Sequence, residues 1–248
     1  QARASVIETY AGDPDASYFT AAITRIDLAD GAVLEHAKLQ AESPRAYHFG
    51  HLSARQQPTS CLRQQHAAFG GRIARTELHS RLERGAECEL NGLFLASGHR
   101  HLDTHTRLHH VEAHAISRES YRGIAAGRGR GVFAGRIVVD PQAQKTDAAM
   151  SNRNLLLSED AEIDSKPQLE IHADDVKCAH GVTIGQLDAQ AVFYLQSRGI
   201  DEPAARNMLT FAFANEMVEK IRHAGLRQQV RDTLLATLPQ AGIREDWL

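Results

Sequence analysis

The chain has 248 residues, of which 42% are hydrophobic and 24% are charged, and its formal net charge is −3. This length can bury a full core as one domain with a small appendage. The small net charge gives no basic excess for binding nucleic acid or an anionic membrane, and no apolar run approaches the roughly 20 residues of a membrane span. We therefore expect no nucleic-acid partner and no membrane partner.

The cysteines and the chain start bear on the cellular compartment. Cys61, Cys88 and Cys178 are odd in number and far apart in the sequence. That pattern argues against a disulfide framework and is typical of a protein in the reducing cytoplasm. The chain begins at Gln1 without a methionine and shows no signal peptide. We therefore expect a cytoplasmic protein, represented by a fragment or a processed form.

Residues 1–185 consist mostly of short runs in which apolar and polar residues alternate, such as 32–39, 72–78 and 132–139. Alternation places one set of side chains inside and the other in water, which predicts β-strands. Residues 44–70 have a weaker pattern, and we expect a rim strand or a loop there. Many short strands without a long amphipathic helix allow a sandwich, a barrel or a parallel β-helix, and periodicity does not choose among these folds.

A histidine-rich strand is predicted at residues 99–114, where polar side chains occupy every second position. The members of this polar side are His99, His101, Asp103, His105, Arg107 and His109. A solvated polar face is the simplest interpretation. Because ladders of imidazole and carboxylate groups bind iron, zinc or copper, the alternative function is a metal-dependent enzyme that uses the strand from His99 to His114. His105 and His110 are the weaker metal candidates of this chain.

The glycine-rich segment 127–131 could be mistaken for a phosphate-binding loop. It lacks the Lys-Ser/Thr pair and the following helix of a nucleotide P-loop, so we interpret it as a tight turn between strands. We expect no ATP hydrolysis by this chain. The sequence also contains no Ser-His-Asp order, no nucleophile elbow and no HExxH motif, and no catalytic residue is predicted.

The stretch 154–186 contains the strongest chemical signal, at the sequence DDVKCAHG. Cys178 and His180 are two positions apart, so in an extended segment both side chains leave the same face. A soft thiolate beside an imidazole forms half of a site for iron, zinc or an iron–sulfur cluster. Because such sites usually need four ligands, we expect the remaining ligands to come from another chain.

Beyond the β region the apolar period becomes helical, which divides the chain into 1–185 and 186–248 and predicts three helices. Gly199 ends the first helix, Asp201 is the N-cap of the second, and the third covers about 226–238. The apolar stripe of the second helix includes Met208, Phe211, Met217, Val218 and Ile221. These side chains must be buried against the β region, against each other or against another chain.

Seven segments carry a specific family resemblance: 131–137 (GVFAGRI), 143–148 (AQKTDA), 154–158 (NLLLS), 166–171 (KPQLEI), 174–181 (DDVKCAHG), 194–195 (YL) and 197–200 (SRGI), together with Asp103, His105 and His110. They resemble the SufD members of the SufB/SufD family of iron–sulfur cluster assembly scaffold proteins. The resemblance implies a right-handed parallel β-helix followed by a C-terminal α-helical region. A β-helix that recognises a polysaccharide or peptide would need an aromatic-lined groove, and an aromatic content of only 6% argues against that alternative.

The resemblance also implies a function: a non-enzymatic scaffold subunit of the SUF assembly complex. It implies a SufB-like partner and a transient iron–sulfur cluster at the shared interface, to which His180 and Cys178 contribute. No cofactor is expected to stay bound to the isolated chain. The C-terminal helices, with the apolar stripe named above, are expected to dock the ATPase SufC, which hydrolyses the ATP. Without SufB, an unpaired edge strand would favour a homodimer of the isolated chain.

Overall fold

The computed structural model describes residues 2–238, which form thirteen β-strands followed by three α-helices. The chain alternates between two parallel sheets, so that odd-numbered strands form sheet A and even-numbered strands form sheet B. The strands of sheet A are β1 (Arg3–Tyr10), β3 (Val33–Gln40), β5 (Cys61–Ala68), β7 (Glu87–Gly98), β9 (Ile116–Gly127), β11 (Asp147–Leu156) and β13 (Lys177–Gly185). The strands of sheet B are β2 (Phe19–Leu28), β4 (Tyr47–Gln56), β6 (Ile73–Leu82), β8 (His101–His110), β10 (Arg130–Val139) and β12 (Glu162–Ile171). The architecture is a parallel β-solenoid of about six turns, which confirms the predicted β-helix.

One corner of the solenoid repeats the same turn in successive rungs. A residue with φ between 59° and 65° stands two positions before each of the strands β3, β5, β7, β9 and β11. These residues are Gly31, Thr59, Gly85, His114 and Lys145. The amide of each donates to a turn carbonyl of the next rung, as from Gly31 to Pro58 at 3.1 Å. Because only two of the five are glycines, this regular backbone feature leaves a weak trace in the sequence.

The interior of the solenoid changes character along its axis. Most rungs are filled by one continuous apolar cluster of leucine, alanine and aromatic side chains. In the first rungs, by contrast, the buried Nζ of Lys38 lies 2.8 Å from Nε2 of His48, whose Nδ1 lies 2.7 Å from the carboxylate of Glu42. A Cβ at Gly50 would lie 2.4 Å from that Nζ, so the glycine provides the space for the ammonium group. In the first rungs these charge-assisted contacts therefore add to apolar burial, because side chains such as Leu34 and Leu52 belong to the same apolar cluster.

The helices lie on the outer face of sheet A. They are α1 (Ala189–Ser197), α2 (Glu202–Val218) and α3 (Ala224–Thr237). Asp201 is the N-cap of α2, as predicted, and its carboxylate accepts a hydrogen bond of 2.8 Å from the amide of Ala204. A second apolar cluster joins α2 and α3 to outward side chains of sheet A such as Leu93, Leu95 and Ile124. Among the described helices, none is long and apolar enough to cross a membrane.

Residues 44–70 do not form the expected rim strand or loop. They contain two regular strands, β4 and β5, each paired on both sides within its sheet. The sequence pattern is weak because polar side chains such as Gln56 and Gln64 occupy inward positions and are fully buried. The predicted helical region extends to residue 248, and its last ten residues, 239–248, lie outside the described residues.

Candidate functional site

The C-terminal end of the solenoid exposes two edge strands. Among the described strands, β13 pairs only with β11, and β12 pairs only with β10. The helices cover the outer face of sheet A and do not close this end. Unpaired amide and carbonyl groups of an edge strand are free to pair with another chain.

Cys178 and His180 lie on β13 and point in the same direction. Their register partners on β11 are Ala148 and Met150, which are both buried in the solenoid interior. Because side chains in one register column share a face, Cys178 and His180 lie on the inward face of the last strand, which has no described rung beyond it. Cys178 is half-buried, and His180 is exposed. The predicted pair is thus brought together at the open end of the solenoid.

The surroundings of Cys178 favour the neutral thiol over the thiolate in the free chain. Burial raises its pKa above the usual value, the nearby charge of Asp147 raises it further, and only a hydrogen bond with the backbone of Ala148 acts in the opposite direction. The protonated thiol is therefore favoured in the free chain, and a metal ion bound there would displace the proton.

A buried carboxyl group lies in the same inward column as His180. Glu119 on β9 is in register with Met150, which is in register with His180. Glu119 is 3% exposed, and both of its carboxyl oxygens lack a hydrogen-bond partner of good geometry. Burial raises its pKa to about 7, and the neighbouring hydroxyl of Thr106 lowers it slightly. Strand parity alone could have identified this residue, since Ser117, Glu119 and Tyr121 alternate with outward side chains.

The outer side of the last rungs also borders an open space. A groove of about 720 Å³ crosses sheet A from Cys61 on β5 to His180 on β13, with Lys220 on its helical side. Its floor near β13 is built from small residues, Ser151 and Gly181 among them. The groove leaves the backbone around His180 accessible from the outer face as well as from the open end.

The histidine-rich strand is β8, and its two weak metal candidates lie on opposite faces. His105 is on the outer face, where its Nε2 lies 2.8 Å from a carboxylate oxygen of Asp103. His110 is fully buried in the interior, with its Nε2 2.9 Å from the hydroxyl of Ser117. These two residues therefore do not share one site. Within residues 2–238, no group of three or more His, Cys, Asp or Glu side chains is arranged to hold a metal ion.

The apolar stripe of α2 faces the solenoid. Phe211, Met217 and Val218 on α2 and Ile221, which lies three residues after the end of this helix, are all at most 6% exposed and belong to the cluster between the helices and sheet A, and Met208 is half-buried. Contact of the four buried side chains with a partner would require the helix to leave the sheet. Among the described residues of the helical region, the exposed large apolar side chains are those of Phe193 and Tyr194 on α1, at 70% and 57%.

Comparison with known proteins gives a consistent result. The family described as "SUF system FeS cluster assembly, SufBD core domain" matches residues 1–213. The iron–sulfur cluster assembly protein SufD of Escherichia coli is 39% identical over 239 residues, which are 96% of this chain and 56% of that protein. An iron–sulfur cluster assembly SufBD family protein of Synechocystis is 34% identical over 86% of this chain and 48% of its own length. The chloroplastic protein ABCI7 of Arabidopsis thaliana is 33% identical over 92% of this chain and 48% of its own length. The chain spans about half the length of these curated relatives.

Proposed function

The chain belongs to the SufB/SufD family of iron–sulfur cluster assembly proteins, and from this membership we propose that it is a scaffold subunit on which a cluster is assembled for delivery. The cluster is the cargo of the complex and is not a resident cofactor of this chain. The observation that carries the proposal is the placement of Cys178 and His180 side by side on the inward face of β13, the terminal strand of sheet A among the described residues, which pairs on one side only.

The proposed partner at this end is a SufB-like chain. Two ligands do not complete a site for iron or a cluster, which usually needs four. An edge strand pairs readily with a strand from another protein, since backbone hydrogen bonds supply affinity and side chains supply specificity. One partner strand could therefore both extend the sheet beyond β13 and add the missing ligands. When SufB is absent, a second copy of this chain can occupy the same edge, which supports a homodimer of the isolated chain.

The proposed second partner is the ATPase SufC, which would dock on the helical region and hydrolyse the ATP. The buried stripe of α2 supports this surface from below, and the exposed part of the helices, including Phe193 and Tyr194, is available for contact.

The three cysteines form no disulfide among themselves, which supports a reducing compartment such as the cytoplasm.

The test is the iron and acid-labile sulfide content of complexes purified without oxygen after co-expression with SufB and SufC. Complexes would carry the wild-type chain, His180→Ala or Cys178→Ser. We expect His180→Ala to leave complex formation intact and to lower the iron and sulfide content at least fivefold, because a ligand of the shared site is lost.

The matched control is His172→Ala, which removes an exposed histidine that follows β12 at the same end of the solenoid. This variant should keep the wild-type iron and sulfide content. An unchanged cluster content in His180→Ala, with the complex intact, would refute the ligand role and leave a purely mechanical scaffold. Failure of the wild-type chain to form any complex would refute the proposed partners.

A further inference from the structure

One arginine between the solenoid and the helices is unlike the other ion-paired arginines of the described chain. The side chain of Arg122 on β9 is 5% exposed, whereas the other arginines in ion pairs are between 27% and 60% exposed. Its partner Glu216 on α2 is 61% exposed. A buried charge is costly unless it is paired and hydrogen-bonded, so the contacts that Arg122 makes must offset the cost of burying it.

Arg122 contacts α2 in three ways. Nη1 donates a hydrogen bond of 2.6 Å to the backbone carbonyl of Phe213, and Nη2 donates to the carboxylate of Glu216. The guanidinium also lies 4.6 Å from the centre of the Phe213 ring. A planar guanidinium that donates to two fixed acceptors defines both the distance and the rotation of the helix relative to the strand.

The segment that follows α2 continues this line of polar contacts across the earlier rungs. Lys220 Nζ donates to the side chain of Asn91 on β7 at 2.9 Å, and Gln65 on β5 donates to the carbonyl of Lys220 at 3.2 Å. Arg222 donates to Glu35 on β3 at 3.1 Å. Of the strands in these contacts, β9, which carries Arg122, is the nearest to β13.

Apolar packing between α2 and sheet A does not fix one position by itself, because the hydrophobic effect is not directional. A buried guanidinium does, since any sliding of the helix would leave the donors of a side chain that is 5% exposed without their acceptors. From this geometry we propose that Arg122 is a positioning residue that fixes α2 to the solenoid in one register, so that a displacement of the helices is carried through β9 and β11 to the strand with Cys178 and His180. The second half of this statement rests on the proposed function, in which an ATPase acts on the helices.

The first experiment uses the isolated full chain and does not depend on any partner. Hydrogen exchange would be measured in the wild type, in Arg122→Met and in Arg118→Met. Arg118 is on the same strand and the same face, but it is an exposed residue paired with Asp147. We expect the amides of α2 to exchange about tenfold faster or more in Arg122→Met, from the loss of charge-assisted hydrogen bonds, with β9 and β11 unchanged. Unchanged α2 exchange would overturn the positioning role.

The second experiment uses the complex with SufB and SufC and measures the clusters formed per ATP hydrolysed. Arg122→Met should lower this ratio at least fivefold while complex formation and ATP hydrolysis stay within twofold of wild type. Arg81→Met, which removes an exposed ion pair with Glu83 at the end of β6 in sheet B, should not change it. A proportional loss of complex and clusters would refute transmission and indicate a stabilising role only. Absence of ATP-dependent clusters in the wild type would instead refute the proposed function. If Arg122→Met does not fold, Glu216→Gln removes the ion pair at an exposed position and should give a smaller effect of the same sign.

Discussion

Replacement of Gly92 by alanine tests how the middle of the solenoid is packed. Gly92 on β7 is in register with Tyr121 on β9, and a Cβ at residue 92 would lie 2.0 Å from an atom of the Tyr121 ring. Carbon atoms in contact normally lie about 3.5–4.0 Å apart, so the ring would have to move by roughly 1.5 Å. It has little room to do so, because it is 1% exposed and its centre is 4.9 Å from that of Phe133. We expect Gly92→Ala to cost about 2–3 kcal/mol of unfolding free energy, the upper part of the range for overpacked cores.

The assay is urea unfolding, with the midpoint and the m-value determined together. The midpoint should fall without a change in m. In a Tyr121→Leu background the same Gly92→Ala change should cost less than about 0.5 kcal/mol, since the smaller side chain leaves space for the methyl group. Gly185→Ala is the control, because a Cβ there meets nothing within 4 Å. An equal cost of Gly92→Ala in both backgrounds would show that contact with the Tyr121 ring is not the cause.

Two further predictions concern single positions. Because the pKa of Glu119 rises to about 7 in the folded chain, the folded state binds more protons than the unfolded state from about pH 4.5 to 7, and stability falls as the pH rises through that window. Urea unfolding would be measured from pH 5 to 8. Glu119→Gln should lose this dependence of stability on pH and gain up to about 3 kcal/mol of unfolding free energy over wild type at pH 8. Parallel curves of midpoint against pH for the two proteins would contradict the prediction. His114 is exposed and has a φ of 65°, in the left-handed region that is unfavourable for a residue with a Cβ. His114→Gly should therefore raise the unfolding free energy by up to about 1 kcal/mol in the same assay. A lower urea midpoint in this variant would rule out strain at this turn.

Much of the local structure could be predicted from the sequence, but the way in which the strands stack could not. Alternation located the strands, and capping chemistry located the start of α2 at Asp201. Periodicity could not select the solenoid, because paired positions are separated by unequal stretches: 26 residues from Cys61 to Glu87 and 31 from Ile116 to Asp147. The turns absorb this difference while the strand register stays intact. Only the family resemblance supplied the parallel β-helix.

The candidate site, like the fold, could be predicted from the sequence only in part. The spacing of Cys178 and His180 was sufficient to predict a shared face, because a strand has a fixed period of two. The position of this face at an uncovered end depends on which strand is last, and that is a property of the whole fold. The contact between Arg122 and α2 joins residues about 90 positions apart, and an arginine within a strand gives no local sign that it is buried. The apolar stripe of α2 was visible, but its pattern does not identify the surface that covers it.

The stacking of rungs has a consequence for local motion. In a solenoid each rung is stabilised mainly by its immediate neighbours, so the free energy of local opening decreases towards an uncovered end. Within the described part of the chain, the strand with Cys178 and His180 has one neighbouring strand, whereas β9 and β11 each have two. It is therefore expected to open more often than any strand in the middle of sheet A, on a timescale that hydrogen exchange can follow. A strand added beyond β13 would slow this opening, so the side chains of Cys178 and His180 would become more ordered as the edge is occupied.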